Sequence, residues 1–232
     1  MKYFIITGSS RGIGEALVKK LFLPNHHLIC ISKQKNDDLI EQAKTNDILL
    51  NYIEFDLNNI HMIDELMKSI VHLIDEKRVQ SIYLINNAAV VKPVEYINQS
   101  ATEEIITHLN INLTAPMLLT SCFMKYTNHL KVDKRIMNVS SGLSFNLKAL
   151  LSCYSTSKSG LETFTKSIGV EQDEVKIMGI RPGAVDTQMY KDSIITDENA
   201  HKVKLASPSY AADRILTYLI DRFEHGKVVK GW

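Results

Sequence analysis

In the segment CYSTSK, Tyr154 stands four residues before Lys158. On a helix that spacing puts both side chains on one face, with Cβ atoms about 5–6 Å apart. A free phenol titrates near ~10, too weak an acid for chemistry at neutral pH. An ammonium about 4 Å away is worth roughly 4 kcal/mol at an effective dielectric near 20, so the pairing is expected to lower the phenol pKa by up to about 3. A phenol tuned in this way exchanges protons with an alcohol or a ketone. The spacing alone is a weak signal, because 9 Tyr and 21 Lys in 232 residues give roughly 0.8 such pairs by chance.

A second constellation sits near the start of the chain. The apolar run YFIIT reads as a buried strand, leads into TGSSRGIG (Thr7 to Gly14), and continues into the helix-forming stretch EALVKKL. Glycines between a first strand and a first helix suit a dinucleotide. Gly8 permits the tight turn, Gly12 lets a pyrophosphate approach the backbone, Gly14 allows close helix–strand packing, and the helix N-terminus faces the phosphates. The spacing is G-x-x-x-G-x-G rather than the commoner G-x-G-x-x-G.

The elements that must position these residues alternate along the chain. Apolar, β-rich runs predict strands at 2–7, 28–32, 49–55, 81–86, 134–139, 175–181 and 227–229. Amphipathic stretches predict helices at 12–22, 36–45, 60–75, 100–127, 153–170 and 207–222; within 60–75, Ile60, Ile63, Leu66, Met67, Ile70, Val71 and Ile74 form one stripe. Continuously apolar strands suit a sheet covered on both faces. Strand–helix alternation implies βαβ units. The expected fold class is therefore α/β: one doubly wound, mostly parallel seven-stranded sheet with helices on both faces, in one Rossmann domain over 1–232.

Composition excludes several classes. A net charge of +1 gives no field to recruit nucleic acid or an acidic membrane. No signal-peptide pattern stands at the N-terminus and no apolar run reaches 18 residues. Cys30, Cys122 and Cys153 are odd in number and far apart, which argues against a disulfide framework or a zinc site and for a cytoplasmic setting. The eight His show no metal spacing, and the His26-His27 pair reads as a loop feature.

Seven segments, in order, resemble the short-chain dehydrogenase/reductase family over essentially the whole chain: TGSSRGIG, FDL at 55–57, NNAA at 86–89, NLTA at 112–115, NVSSG at 138–142, CYSTSK and RPGAVDT at 181–187. Ala89 departs from the family's glycine, which bears only on local strand–loop packing. The resemblance implies a catalytic set of Asn112, Ser141, Tyr154 and Lys158, with Ser141 thirteen residues before Tyr154. Tyr154 protonates an alkoxide, Lys158 lowers its pKa and holds a ribose, Ser141 orients the carbonyl, and Asn112 keeps a water that relays protons. It also implies a cofactor set: Gly8, Ser10, Arg11, Gly12, Ile13 and Gly14 in the turn, Ser32 and Lys33 after strand two, Asp56 at adenine with Leu57, Asn87 and Ala88, Tyr154 and Lys158, then Pro182, Gly183, Val185 and Thr187.

Strand two ends ICISKQK, and its first acids, Asp37 and Asp38, come late. An acid near that strand end would bind a ribose 2′-hydroxyl. Ser32, Lys33 and Arg11 instead suit a 2′-phosphate, so NADPH is the expected cofactor. Leu143, Phe145, Leu147, Leu150, Leu151, Met189 and Tyr190 suggest an apolar pocket, with Ser141, Leu143, Tyr154 and Met189 as substrate contacts. PGAVDTQM and the brief turn EQDEVKIMGIRPG resemble the family branch that holds sepiapterin reductases and bacterial reductases of aromatic α-diketones such as benzil. The tail GKVVKGW lacks an acidic residue to grip a pterin, which favours a diketone. Other readings are a reductase of acyl-carrier-linked ketones or sugars, and a non-enzymatic dinucleotide sensor. By the same resemblance a homodimer is expected through residues 100–127 and 153–170, with Leu161, Phe164, Thr165 and Ile168 as one face. No metal is expected.

Overall fold

Successive residues of the strands feed two different cores, which explains why the strands are apolar throughout. In β1 (Lys2–Thr7), Ile5 faces one core while Phe4 and Ile6 face the other. In β4 (Ser81–Asn86), Ile82 and Leu84 alternate with Tyr83 and Ile85 in the same way. Burying each such side chain contributes about 1.5–3 kcal/mol, so both sheet faces must be covered. The computed structural model describes residues 1–193 and 203–231.

The remaining strands are β2 (His26–Ser32), β3 (Leu49–Glu54), β5 (Asp133–Val139), β6 (Lys176–Arg181) and β7 (Val228–Lys230). One seven-stranded sheet runs β3-β2-β1-β4-β5-β6-β7, and every pairing is parallel. One face is covered by α1 (Gly12–Lys20), α2 (Asp37–Thr45) and α8 (Pro208–Ile220), through Leu17, Leu39 and Ile215 among others. The opposite face is covered by α3 (Ile63–Val71), α5 (Ala115–Thr127) and α6 (Ser152–Glu171), through Met67, Phe123 and Ile168. No helix among the described residues is long and apolar enough to cross a membrane.

Several expectations need correction. The stretch 100–127 is not one helix: α4 (Thr102–Leu109) gives way to a π-helical turn (Asn110–Thr114) before α5 begins. The amphipathic pattern continues across the turn, so periodicity alone does not reveal it. His26 and His27 are not a loop but open β2. Buried His26 packs on Phe4 at 4.7 Å, with Nδ1 3.0 Å from the Leu21 carbonyl, and His27 pairs with Asn51 at 2.6 Å. Finally, α7 (Gln188–Ser193) is an extra short helix just after the Pro-Gly segment. Leu161, Thr165 and Ile168 are buried in the protein's own interior, so that face of α6 is not free for a second copy.

Candidate active site

Chain order reverses at β1: β2 lies on one side of it and β4 on the other. In open α/β sheets that switch point opens a crevice beyond the carboxyl ends of the strands. Here it is a cavity of about 760 Å³. Gly8 follows β1, Asn87 follows β4, Ser140 follows β5 and Pro182 follows β6, and all four line it. So does every other cofactor or substrate residue expected from the sequence, except Gly14. Gly14 and Asn112 stand behind the wall.

The glycine turn is built for close approach. Gly8 and Gly12 have φ of +67° and +59°, which side chains rarely adopt. A Cβ on Gly14 would lie 2.0 Å from the Gly8 carbonyl oxygen, so only glycine lets α1 start against the turn. Arg11 precedes α1 without capping it through its side chain, leaving first-turn N–H groups for an anion. Thr7, in front of the glycines, braces the turn: its Oγ1 accepts the N–H groups of Asn87 and Ala88, each at 3.0 Å. Asn36 caps α2 and donates to the Ser10 carbonyl at 2.9 Å. Nothing in the sequence reading singled out Asn36, although its place directly before an acidic first turn is an N-cap signature.

Lys33, Ser32 and Asp56 meet at the adenosine end. Lys33 pairs with Asp56 at 2.7 Å. Burial works against the Asp56 charge, but Lys33 and the Asn58 N–H outweigh it and hold the carboxyl below its usual range. The Lys33 side chain is 76% exposed, and such pairs are worth about 0–1 kcal/mol, so it remains available to a phosphate. Ser32 is more committed. Its hydroxyl donates to the Gln34 carbonyl at 2.6 Å and lies 2.7 Å from the Tyr52 hydroxyl.

At the other end, α6 brings Tyr154 and Lys158 to one wall and the turn after β5 brings Ser141 to face them. Ser141 is a hydrogen-bond partner of the Tyr154 phenol and also accepts the Leu143 N–H at 3.2 Å. The expected lowering of the phenol pKa by Lys158 is not found. Burial pushes Tyr154 up, and only the Ser141 contact opposes it. Lys158 Nζ lies 5.8 Å from the Tyr154 ring centroid and donates to the Val139 carbonyl at 2.9 Å. Burial lowers the lysine itself to about 8, against the pull of Glu162.

Asn112 is not free to hold a water with its side chain. Its Oδ1 accepts the Val90 N–H at 2.8 Å, and Nδ2 donates to the Val90 carbonyl at 2.7 Å and lies 2.9 Å from His108 Nε2. His108 is fully buried, with Nδ1 2.6 Å from the Lys92 carbonyl and Nε2 3.0 Å from Ser157 Oγ. These partners fix one neutral tautomer, in which Nδ1–H donates and Nε2 accepts. Burial and the Lys158 charge lower its pKa in the same sense.

The apolar end differs in part from expectation. Leu143 and Met189 pack with Tyr154, Val91 and Leu151, and Val94 joins them; Tyr190 also lines the cavity. Phe145, Leu147, Leu150 and Leu151 do not line it. Phe145 lies over the Arg181 guanidinium at 4.6 Å, and Leu147 is 74% exposed. Val91 and Val94 follow β4 in a segment with no period that marks them as apolar contacts.

The residues fit a dinucleotide: a positive-φ glycine turn, a helix N-terminus and cations at one end, and Ser141 with buried Tyr154 and Lys158 at the other. The family model described as short chain dehydrogenase matches residues 2–198. The chain is 37% identical to a benzil reductase ((S)-benzoin forming) of Bacillus cereus, with 99% of each chain covered. It is 30% identical to the benzil reductase of Bacillus subtilis, covering 98% of this chain and 97% of that one. An alcohol dehydrogenase from the archaeon Thermococcus sibiricus, solved with 5-hydroxy-NADP, superposes with a TM-score of 0.80 at 19% identity, over 99% of this chain and 95% of that one.

Proposed function

The chain belongs to the short chain dehydrogenase family, and from that premise we propose that this oxidoreductase uses NADPH to reduce one carbonyl of an aromatic or bulky apolar vicinal diketone, giving a hydroxyketone. The observation that carries the reading is the hydrogen-bonding pair Ser141 and Tyr154, set against the apolar lining of Val91, Leu143 and Met189. Such a site orients one carbonyl while burying ring surface at about 25 cal/mol per Å². A polyhydroxylated substrate would leave polar groups unpaired at about 1–3 kcal/mol each. The near-full-length likeness to two benzil reductases supports the same choice.

Bound NADPH supplies the hydride. The glycine turn and the α1 N-terminus would hold its pyrophosphate, Asp56 its adenine, Arg11 and Lys33 its 2′-phosphate, and Lys158 the ribose nearer the reaction. Ser141 holds the substrate oxygen, and Tyr154, kept protonated by burial, donates a proton to that oxygen as charge develops there. Lys158 supplies positive charge behind the phenol. Asn112 acts through structure, fixing the π turn to Val90. A homodimer and a cytoplasmic setting belong to the same proposal, the latter supported by three free thiols, Cys30, Cys122 and Cys153.

The test compares kcat/KM for an aromatic diketone, sepiapterin, an acetoacetyl thioester and a sugar ketone, with NADPH and with NADH. The diketone with NADPH is expected to lead. A tenfold win for the thioester or the sugar overturns the pocket reading. An unchanged NADPH/NADH ratio in Lys33→Asp overturns the phosphate reading.

A further inference from the structure

We infer that Glu162 is a positioning residue that fixes the Ser141 turn and sets the charge around Lys158, an inference that rests on the reductase reading of this site. Glu162 lies one helical turn beyond Lys158 on α6, and its side chain is only 6% exposed. A carboxylate buried this deeply is costly unless fully hydrogen-bonded. Here Oε1 accepts from Ser140 Oγ at 2.6 Å, Ser144 Oγ at 2.6 Å and Arg181 Nε at 2.7 Å, and Oε2 accepts from Arg181 Nη2.

The partners are significant by position. Ser140 precedes Ser141, and Ser144 ends the 3-10 turn Gly142–Ser144 that follows it. Arg181 is the last residue of β6, directly before Pro182 and Gly183. One carboxylate therefore ties the loops after β5 and β6 to the helix that carries Tyr154 and Lys158. Ser159 adds a tie to the same turn, donating to the Ser144 carbonyl at 2.6 Å.

The groups facing Lys158 are the Val139 carbonyl from β5, the Tyr154 phenol and Glu162 from α6, and neutral His108 from α4. Among these described groups Glu162 alone is negative, and its charge opposes the effect of burial on the lysine. Arg181 pairs with that carboxylate. Removing the Glu162 charge thus both withdraws an anion and leaves the Arg181 cation uncompensated, and the two changes push the Lys158 pKa the same way, downward.

The experiment uses the full chain with Glu162→Gln, Glu162→Asp and Ser144→Ala. In cofactor-free protein the Lys158 ammonium is titrated by NMR of labelled lysine, with Lys158→Arg identifying the signal. Glu162→Gln is expected to lower the midpoint by about one pH unit, as loss of a nearby opposite charge does, and to lower kcat about tenfold or more with KM for NADPH within about threefold, as a misplaced group does. Glu162→Asp keeps the charge and should restore the midpoint. Ser144→Ala keeps the charge but removes one tie, so kcat should fall while the midpoint stays. An unmoved midpoint in Glu162→Gln overturns the electrostatic role, and an undiminished kcat in both Glu162→Gln and Ser144→Ala overturns the positioning role. Should Glu162→Gln fail to fold, Glu162→Asp and Ser144→Ala decide: a midpoint that falls in either, or an undiminished kcat in Ser144→Ala, overturns the inference. The titration needs no substrate, so it stands even where the diketone proves to be the wrong substrate.

Discussion

Lys158 sits where its charge is least welcome. Its pKa is about 8 in the fold against an ordinary 10.5, a difference worth about 3 kcal/mol. Because the folded value is the lower one, the folded state binds fewer protons between those pH values. The lysine therefore destabilises the fold fully below about pH 8, and the penalty fades as pH rises towards 10.5. Lys158→Met should raise the Tm at pH 7 by a few degrees, after about 1 kcal/mol is lost with the bond to Val139, and turnover should disappear. A thermal melt series checks the sign: a gain that does not shrink between pH 8 and 10 would refute it. Tyr154→Phe should abolish turnover and leave NADPH binding within about threefold, read by cofactor fluorescence, because only the proton donor is removed; near-normal activity would sink the role. That Tyr154 and Lys158 share one face was legible in the spacing of CYSTSK. The direction of the phenol's shift was not, because four residues of separation say which face is shared but not how dry that face is.

The glycine turn is where sequence and local structure agree most closely. Gly8 and Gly12 take the positive φ that the pattern implies, and Gly14 is required by contact, since its Cβ would also lie 2.8 Å from Asn87 Nδ2. Gly14→Ala should push α1 off the turn, weaken NADPH binding at least tenfold and lower the Tm; unchanged affinity by fluorescence titration would show that α1 can shift at little cost. The π turn is the opposite case. Residues 110–114 carry an ordinary helical pattern, and what breaks the ladder is Asn112 bonding both polar groups of Val90, 22 residues away in sequence. Its brace, His108, is likewise visible only once α4, α6 and the segment after β4 come together. The loop between Ser141 and α6 has no period to read, so sequence does not separate Leu143, which lines the cavity with Val91 and Met189, from Phe145 and Leu147, which do not.

Strand–helix alternation made the parallel sheet legible, and the glycine turn fixed which strand comes first. Together they imply a crevice at the end of β1. What surrounds the finished molecule is harder to read, because an apolar helix face looks the same in sequence whether it meets its own sheet or another chain. On α6 the face expected for a dimer has Leu161, Thr165 and Ile168 in the interior, with Phe164 partly buried against them. A different stripe remains. Ile106, Leu109, Leu113 and Met117 recur at helical spacing along α4, the π turn and α5, with Ile106 52% and Met117 39% exposed and Leu109 and Leu113 half-buried. Leu113 lies against Gly160 of α6, where an added Cβ would meet it at 3.2 Å, so the stripe continues onto the helix that carries Tyr154 and Lys158. Two copies pairing across this surface would bury an apolar centre, and a stable pair needs about 1,200–2,000 Å² in all. The expected mass by light scattering at micromolar concentration is that of a dimer. The double variant Ile106→Glu and Met117→Glu, which places like charges on both sides of a twofold contact, should convert it to monomer without unfolding it. A monomeric wild type, or a double variant that stays dimeric, would remove this face from the assembly.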